Sequence, residues 1–268
     1  MALQLDLNKA SAKLVLSLQK AGITTPPSVE VAFDLDVSGS FEDEHRDGLT
    51  NDLMARLVPW GLVFDPDKQL DVFTFSSRPD SVYNVGSVNA DNYEGFVMRE
   101  IYEKVPGWSG GTDYSYVLQR NLQLFGWAPQ DEVAAEKTKS FFGGLFGGGK
   151  KPTVASAPVA KRKSLVLFTT DGENSDKDRT ERLLAESEAR GDGVYFLFLG
   201  VSQQEKQRAA ESKKAFGKRA FPFIHGLGEK FNNVGFEPIS DVREWVSQTD
   251  EAINEALISD ELVLWFKQ

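Results

Sequence analysis

The stretch that decides the fold is "VEVAFDLDVSGSFEDEH", residues Val29–His45. An apolar, β-branched run ends here at two aspartates and a Ser-Gly turn, which predicts a buried strand over residues 29–36 with polar side chains at its carboxyl end. Apolar residues then recur at helical spacing from Leu49 to Leu57, which predicts a helix. The local unit is therefore a strand, a loop and a helix.

The same unit recurs along the rest of the chain. Apolar runs predict strands at "LDVFTF", "SLVLFTT", "GVYFLFLGV" and near residues 231–239. Helices are predicted between and after them over residues 113–126, 178–190, 203–215 and 241–257. Because strands alternate with helices, we predict an α/β fold, a doubly wound and mostly parallel sheet with helices on both faces.

Three segments depart from this pattern. Residues 1–28 contain the alternating runs "LQLDL" and "KLVLSL", which predict an N-terminal β-arm. The main domain is then expected over residues 29–258, with a C-terminal tail at 259–268. The residues at about 130–163 are rich in Gly, Pro, Ala and Lys, so we expect a flexible insertion in a surface loop.

Composition excludes several classes of protein. With 268 residues, of which 41% are hydrophobic, the chain can bury a full core. The net charge of −10 opposes binding to nucleic acid, and we expect no specific nucleic-acid partner. The absence of Cys excludes disulfides and Cys-ligated zinc. No apolar segment has the length of a signal peptide or a transmembrane helix, so we expect a soluble, cytoplasmic protein. The two histidines, His45 and His225, show no ligand spacing and are expected at the surface or in loops.

Two lysine-containing stretches are candidates for other kinds of site. Gly144–Lys150 has the glycine spacing of a P-loop, but Lys151 replaces the Ser or Thr that holds magnesium and no strand precedes it. The apolar residues within 141–146 could dock a partner or contact a membrane peripherally. The simpler interpretation is a loop tip that is folded onto its own domain or is disordered. For Lys206–Arg219, a solvated helix face is favoured over a polyanion site.

Three hypotheses compete for the residues after the first strand. A helix–loop–helix calcium site would begin at Asp34, but such a loop is entered from a helix and ends in a bidentate Glu at its twelfth position. Here a strand enters the loop, and His45 stands at the twelfth position. The sequence therefore disfavours this hypothesis.

A magnesium-dependent phosphatase of the haloacid-dehalogenase type is the alternative that stays open. It would use Asp34 as the nucleophile and Asp36 as the general acid. The fold class suits it. However, Ser38 replaces the usual Thr or Val, and the only later acidic residues in suitable places are Asp171 and Asp176.

The third hypothesis is a divalent-cation site that begins with Asp36-x-Ser38-x-Ser40. It requires a Thr on a glycine-rich loop and an Asp at the end of a later strand, and Thr112 in "SGGTDYSYVL" and Asp171 in "SLVLFTTDGENSD" supply them. Each piece alone could be a turn or a helix cap. In a doubly wound sheet, however, loops at the carboxyl ends of the strands meet where the winding reverses, so three pieces in this order favour a metal site.

The predicted ligands indicate what such a site would do. A small hard cation such as Mg²⁺ prefers six oxygens and keeps several waters. Three hydroxyls and two carboxylates can supply those oxygens and leave an open position that favours an acidic oxygen from outside. The set contains no nucleophile or base, so we predict a binding module and not an enzyme, with a protein partner that presents an Asp or Glu to the metal.

The motifs "DVSGS", "GGTDY" and "TTDG" resemble those of a von Willebrand factor A domain over roughly residues 29–258. Within that family the chain is most similar to the bacterial and phage group associated with tellurium resistance and stress response. The stretches that indicate this group are "LNKASAKLVLSLQKAG", "LVPWGLVFDPDKQLDVFTFSS" and "NNVGFEPI".

The resemblance implies a six-stranded sheet with one short antiparallel edge. It also implies a metal-ion-dependent adhesion site that holds Mg²⁺ or Mn²⁺, and a role in protein–protein interaction. Ca²⁺ is a further alternative for the ion. The sequence departs from the family at Asp34, which stands where an apolar strand residue is usual. A buried carboxylate at this position needs a polar partner.

Overall fold

The first predicted strand, β1 (Glu30–Asp36), lies in the centre of the sheet, and six of its seven residues are buried. The computed structural model describes residues 6–129, 161–202 and 206–268. Most of the insertion predicted at 130–163 lies outside the described residues, and so do the P-loop-like stretch and the apolar segment 141–146.

The sheet of the described chain has six strands. Besides β1 they are β2 (Leu70–Phe75), β3 (Tyr83–Val88), β4 (Ser164–Thr170), β5 (Val194–Val201) and β6 (Val234–Ile239). Their order is β3-β2-β1-β4-β5-β6, and every neighbouring pair is parallel except β2–β3. The predicted doubly wound, mostly parallel sheet with one antiparallel edge is therefore confirmed. The winding reverses between β1 and β4.

Helices cover both faces of the sheet, as predicted. The first half of the described chain contains α1 (Leu7–Lys20), α2 (Glu42–Arg46), α3 (Leu49–Phe64) and α4 (Ser115–Leu124). The second half contains α5 (Lys177–Arg190), α6 (Lys213–Ala220), α7 (Pro222–Lys230), α8 (Val242–Val246), α9 (Asp250–Leu257) and α10 (Asp260–Lys267). One apolar core joins Phe33 of β1 to α1, α3 and α8–α10, and the other joins Phe168 of β4 to α4, α5 and α7.

The predicted N-terminal β-arm is wrong, because this segment forms the helix α1. The Asp6 carboxylate caps the helix by accepting a hydrogen bond from the Lys9 N–H at 3.1 Å. Leu14 and Leu18 lie on one helical stripe and are fully buried in the core that α3 and α9 share. The alternation in "KLVLSL" was misleading, since Leu16 of that run is 54% exposed. Burial of a stripe with a period of 3.6 residues decides the structure here.

The segment expected to be a C-terminal tail is the helix α10. The Ser259 hydroxyl caps it by accepting from the Leu262 N–H at 3.2 Å. Trp265 and Phe266 are buried, and the Phe266 ring stacks on Phe64 with 5.1 Å between centroids. Both terminal helices thus belong to the apolar core that also contains α3. No helix within the described ranges is long and apolar enough to span a membrane.

Two other predicted helices have different bounds in the structure. The helix predicted at 203–215 begins only at Lys213, where the Ser212 hydroxyl accepts from the Ala215 N–H and caps α6. The helix predicted at 241–257 is divided into α8 and α9, because Thr249 caps a new helix after a turn. Local capping residues therefore fix these boundaries.

Candidate metal centre

The candidate centre lies where the carboxyl ends of β1 and β4 meet. Asp36 is the last residue of β1, and Asp171 directly follows β4. These two strands are parallel neighbours, with Leu35 paired to Thr169. Since the winding of the sheet reverses between them, the loops that follow leave in opposite directions and open a crevice.

Asp36 is fully buried and held by two hydrogen bonds. One carboxylate oxygen accepts from the Ser38 N–H at 2.8 Å, and the other accepts from the Thr170 hydroxyl at 2.6 Å. Burial raises the pKa of Asp36 to about 6, although the hydrogen bonds from Thr170 and Ser38 lower it in part. The carboxylate is therefore fixed in orientation and short of compensating positive charge.

Three more predicted ligand oxygens converge beside Asp36. The Ser40 hydroxyl lies 3.0 Å and the Ser38 hydroxyl 3.5 Å from the same oxygen of Asp171, and the two hydroxyls are 3.2 Å apart. Burial, and then repulsion by the Asp36 carboxylate, raise the pKa of Asp171 to about 7. No lysine or arginine of the described chain is among the main influences on the pKa of either aspartate.

Thr112 lies on a loop that is attached to both of these segments. Gly110 of this loop pairs with Ser38, and the Gly110 carbonyl accepts from the Gly39 N–H at 2.9 Å. The Thr112 carbonyl accepts from the Ser175 N–H, also at 2.9 Å, so the loop after β4 holds the other side. The structure thus brings the three loops that bear the five predicted ligands to one end of the sheet.

The residues present fit a divalent cation. Their donor atoms are carboxylate and hydroxyl oxygens, the hard ligands that Mg²⁺, Mn²⁺ and Ca²⁺ prefer. The buried Asp36 and the half-buried Asp171 repel each other, which leaves a deficit of positive charge that a bound ion would fill. The described ranges contain no group of three or more His, Asp or Glu side chains that could hold a metal, and this centre relies on two carboxylates and on hydroxyls.

His45 is buried in α2 behind Asp36, so its predicted place at the surface or in a loop is wrong. Its Nε2 lies 2.9 Å from the Asp36 carbonyl oxygen and its Nδ1 lies 2.8 Å from the Thr50 hydroxyl. Because a carbonyl only accepts, Nε2 carries the hydrogen and Nδ1 accepts from Thr50. Burial lowers the pKa of His45 to about 4, and its ring packs against Phe41 and Trp108.

The sequence contains a weak signal for this role of His45. The signal is the short distance along the chain, since His45 lies nine residues after Asp36 and five before Thr50. Neither spacing is typical of metal ligands. His225, the other histidine, is also buried, and its predicted surface location is wrong as well.

Asp176, which is not among the predicted ligands, also supports the site. Its two carboxylate oxygens accept from the N–H groups of Tyr114 and Ser115, each at 3.0 Å, at the start of α4. Burial alone would raise the pKa of Asp176, but hydrogen bonds from Ser115, Asn174 and Tyr114 outweigh burial and hold it below its usual value. Asp176 thereby fixes the start of α4, which lies three residues after Thr112.

Asp34 does not have the surroundings that the phosphatase hypothesis requires. It is fully buried under α4, where one carboxylate oxygen accepts from the Asn121 amide at 2.5 Å. Burial raises its pKa well above the usual value. A nucleophile must reach the substrate, and this side chain is enclosed. Asp176, the further acid that the hypothesis could use, is engaged as the cap of α4.

The basic stretch Lys206–Arg219 forms a surface of ion pairs. Four of its cationic side chains pair with acidic residues, as Lys206–Asp241, Lys213–Glu237, Lys214–Glu229 and Arg219–Glu211. These pairs neutralise most of the positive charge that a polyanion would need. The solvated, salt-bridged surface is therefore the better interpretation.

Comparisons with known proteins found similarity only among solved structures. No protein-family model and no curated protein matches the chain. Two structures of proximal thread matrix protein 1 from the mussel byssus are each 15% identical to it, with TM-scores of 0.47 and 0.43, over 89% and 85% of this chain. A third, with a zinc-occupied MIDAS motif, is also 15% identical and has a TM-score of 0.45.

The chain spans about half the length of these proteins, since 49%, 47% and 49% of them are covered. At this identity and structural similarity, the comparisons assign neither a family nor a ligand to the chain.

Proposed function

We propose that the chain is a von Willebrand factor A domain that binds Mg²⁺ and uses it to capture an acidic residue of a protein partner. The ligands would be Asp36, Ser38, Ser40, Thr112 and Asp171. The observation that carries the proposal is the convergence of the two serine hydroxyls on Asp171, at 3.0 and 3.5 Å, beside the buried Asp36. Mn²⁺ and Ca²⁺ are the alternatives, because they prefer the same oxygen donors.

The protein's own residues would fix the geometry before the metal arrives. The Ser38 N–H and the Thr170 hydroxyl hold both oxygens of Asp36, so this carboxylate cannot rotate freely. His45 anchors the Asp36 backbone, and Asp176 fixes α4 beside Thr112. A bound divalent cation would supply positive charge and an open coordination position for a carboxylate oxygen of the partner.

The proposal predicts partner binding that depends on both the metal and Thr112. Protein captured from a cell extract by the immobilised wild type should be released by a chelator and should bind again when Mg²⁺ is restored. Thr112→Ala should weaken the capture about 10-fold or more, because it removes one ligand of a charged site. Thr249→Ala is the matched control, since it removes a helix cap at α9, away from the site.

Capture that survives both the chelator and Thr112→Ala would contradict the proposal. It would mean that the partner binds another surface. The control variant is expected to lose about 1 kcal/mol of folding free energy and none of its binding.

The proposal also includes a cellular role for the chain. The stretches that resemble the tellurium-resistance group correspond in the structure to α1, to the segment from α3 through β2, and to β6. We propose a cytoplasmic role in that type of stress response. Cells without the chain should then survive tellurite less well, and the wild type should restore survival while Asp36→Ala should not. Equal survival of all three strains would refute this setting without affecting the metal site.

A further inference from the structure

Arg78, which follows β2 at the same end of the sheet, has a backbone conformation that residues other than glycine rarely adopt. Its φ is +77° and its ψ is 153°. This region is nearly reserved for glycine, and a strained residue persists there only when its surroundings impose the conformation. Strain of this kind concentrates at functional sites.

The contacts that impose it join Arg78 to the loop that bears Thr112. The Arg78 N–H donates to a carboxylate oxygen of Asp113 at 3.2 Å, and the Arg78 carbonyl accepts from the Ser81 hydroxyl at 2.7 Å. Asp113 directly follows Thr112, and its own N–H donates to the Ser76 carbonyl at 3.3 Å. The backbone of Arg78 is thus fixed to the loop that bears a predicted ligand.

The Arg78 side chain has no structural role that explains an arginine at a glycine position. Its side chain is 73% exposed, and its contact with Asp80, at 3.6 Å, joins two side chains that are both exposed. Exposed pairs of this kind contribute little to folding free energy. A glycine would adopt this backbone conformation with less strain. The feature that an arginine adds here is its exposed guanidinium.

A guanidinium at this place would assist an acidic partner. The chain has a net charge of −10 and repels acidic segments at long range. A guanidinium binds a carboxylate through two parallel hydrogen bonds, which gives both affinity and orientation. Because the Arg78 backbone is bonded to Asp113, the residue after Thr112, this guanidinium is placed to bind a second carboxylate of a partner whose first carboxylate binds the metal.

We infer that the partner segment carries two acidic residues, one for the metal and a second for Arg78. The inference rests on the proposed function, because it assigns the partner chemistry of the same site. Arg78 is then a specificity-determining residue, and a segment with a single acid is a weaker ligand.

Blocked peptides can test this inference without a known partner. One peptide has a single Asp among glycines, and three others have two Asp separated by one, two or three glycines. Binding to the Mg²⁺-loaded wild type is measured by NMR titration. At least one of the two-acid peptides should bind about 5- to 10-fold more tightly than the one-acid peptide, the gain expected from a partly exposed, charge-assisted pair.

Arg78→Gly should reduce the best two-acid peptide to the affinity of the one-acid peptide and should leave the one-acid peptide unchanged. Its melting temperature should be equal to that of the wild type or higher, because glycine relieves the strain. Lys68→Gly is the matched control: Lys68 is also exposed with a positive φ, but it precedes β2, at the opposite end of the sheet. It should affect neither peptide.

The outcomes separate this inference from the proposed function. If the one-acid peptide binds only with Mg²⁺ and Arg78→Gly leaves the two-acid peptides unaffected, the inference is wrong and the proposed function stands. Equal losses in Arg78→Gly and Lys68→Gly would also overturn it, since they would indicate a general effect of charge. If the Mg²⁺-loaded wild type binds none of the peptides, both fail.

Discussion

Asp34 and Asp36 lie two residues apart on β1 and face the same side of the sheet, but their partners give them different roles. Asp36 accepts hydrogen bonds from Ser38 and Thr170 at the rim, whereas Asp34 bonds to Asn121 below it. The sequence contains both carboxylates, and the motif assigns only Asp36 to the metal. The position of Asn121, 87 residues away, is what reveals the partner of Asp34.

We expect a clear contrast between two aspartate variants in thermal unfolding. Mg²⁺ at a hundredfold excess over Kd should stabilise the wild type by about 2.7 kcal/mol. For a domain of this size that is a rise in Tm of roughly 5–10 °C. Asp36→Ala should abolish the rise because it removes a ligand. Asp34→Asn should keep most of it, because the side chain lies one pleat behind the site and an amide can still bond to Asn121.

The phosphatase hypothesis makes the opposite prediction for Asp34→Asn, since Asp34 would then be a metal ligand. Loss of the Mg²⁺ response in that variant, together with hydrolysis of a phosphate ester by the wild type, would reverse our assignment.

A third carboxylate, Asp65, should give the protein a measurable pH dependence away from the site. Its oxygens accept from the N–H groups of Val31 at 3.0 Å and Asp67 at 2.8 Å, and burial raises its pKa to about 6. The folded state therefore holds the proton of Asp65 more tightly than the unfolded state does. Its contribution to folding free energy should fall as the pH rises from about 4 to about 6.

The comparison of wild type with Asp65→Asn isolates this contribution. In urea unfolding, the stability of the wild type relative to the variant should be greatest near pH 4 and should decrease up to pH 6. Asp67→Asn, in the same turn but exposed, serves as the control. A difference between wild type and Asp65→Asn that is constant with pH, or that increases with it, would contradict the assignment.

At the scale of elements, patterns in the sequence predict the central strands well and the ends of the chain poorly. The strand β5 is a nearly continuous apolar run and β4 is apolar through its centre, and their burial on both faces follows from that composition. The terminal helices α1 and α10 are amphipathic, and each is buried only because helices of the same layer accept its apolar stripe. Those contacts are tertiary, so local alternation in "KLVLSL" could not exclude a strand.

The predicted difference between the two faces of α1 can be measured. Leu14→Ala should destabilise the protein by about 2–5 kcal/mol, because it removes a fully buried side chain from the core shared with α3. Leu16→Ala, two residues further on and exposed, should change stability by no more than about 0.5 kcal/mol. Urea unfolding of both variants tests this. Equal effects would mean that α1 does not pack on the core as described.

At the scale of the whole molecule, the candidate site is a product of the complete fold. The Ser40–Asp171 contact joins residues 131 apart in the chain, and Thr112 comes from a third loop. The motif predicted which loops would meet because a doubly wound sheet gathers them at one edge. It could not predict the attachments of these loops to one another, such as the cap that Asp176 provides for α4, since these depend on side-chain positions.

The separation of the ligands along the chain leads to a kinetic prediction. If the site forms only after β1 and β4 have paired, Mg²⁺ stabilises the native state and not the transition state for folding. Mg²⁺ should then slow unfolding and leave the refolding rate unchanged. Stopped-flow measurements with Mg²⁺ and with a chelator test this, and Asp36→Ala should show no difference between the two. Faster refolding in Mg²⁺ would mean that the site forms early.

The attachment of the Thr112 loop to both the Ser38 segment and the Ser175 segment has a further consequence. A chain in which either connection has unfolded presents no complete docking surface. A partner that requires all three loops would therefore bind mature molecules and ignore defective ones. Complex formation would then itself discriminate intact copies of the protein from partly unfolded ones.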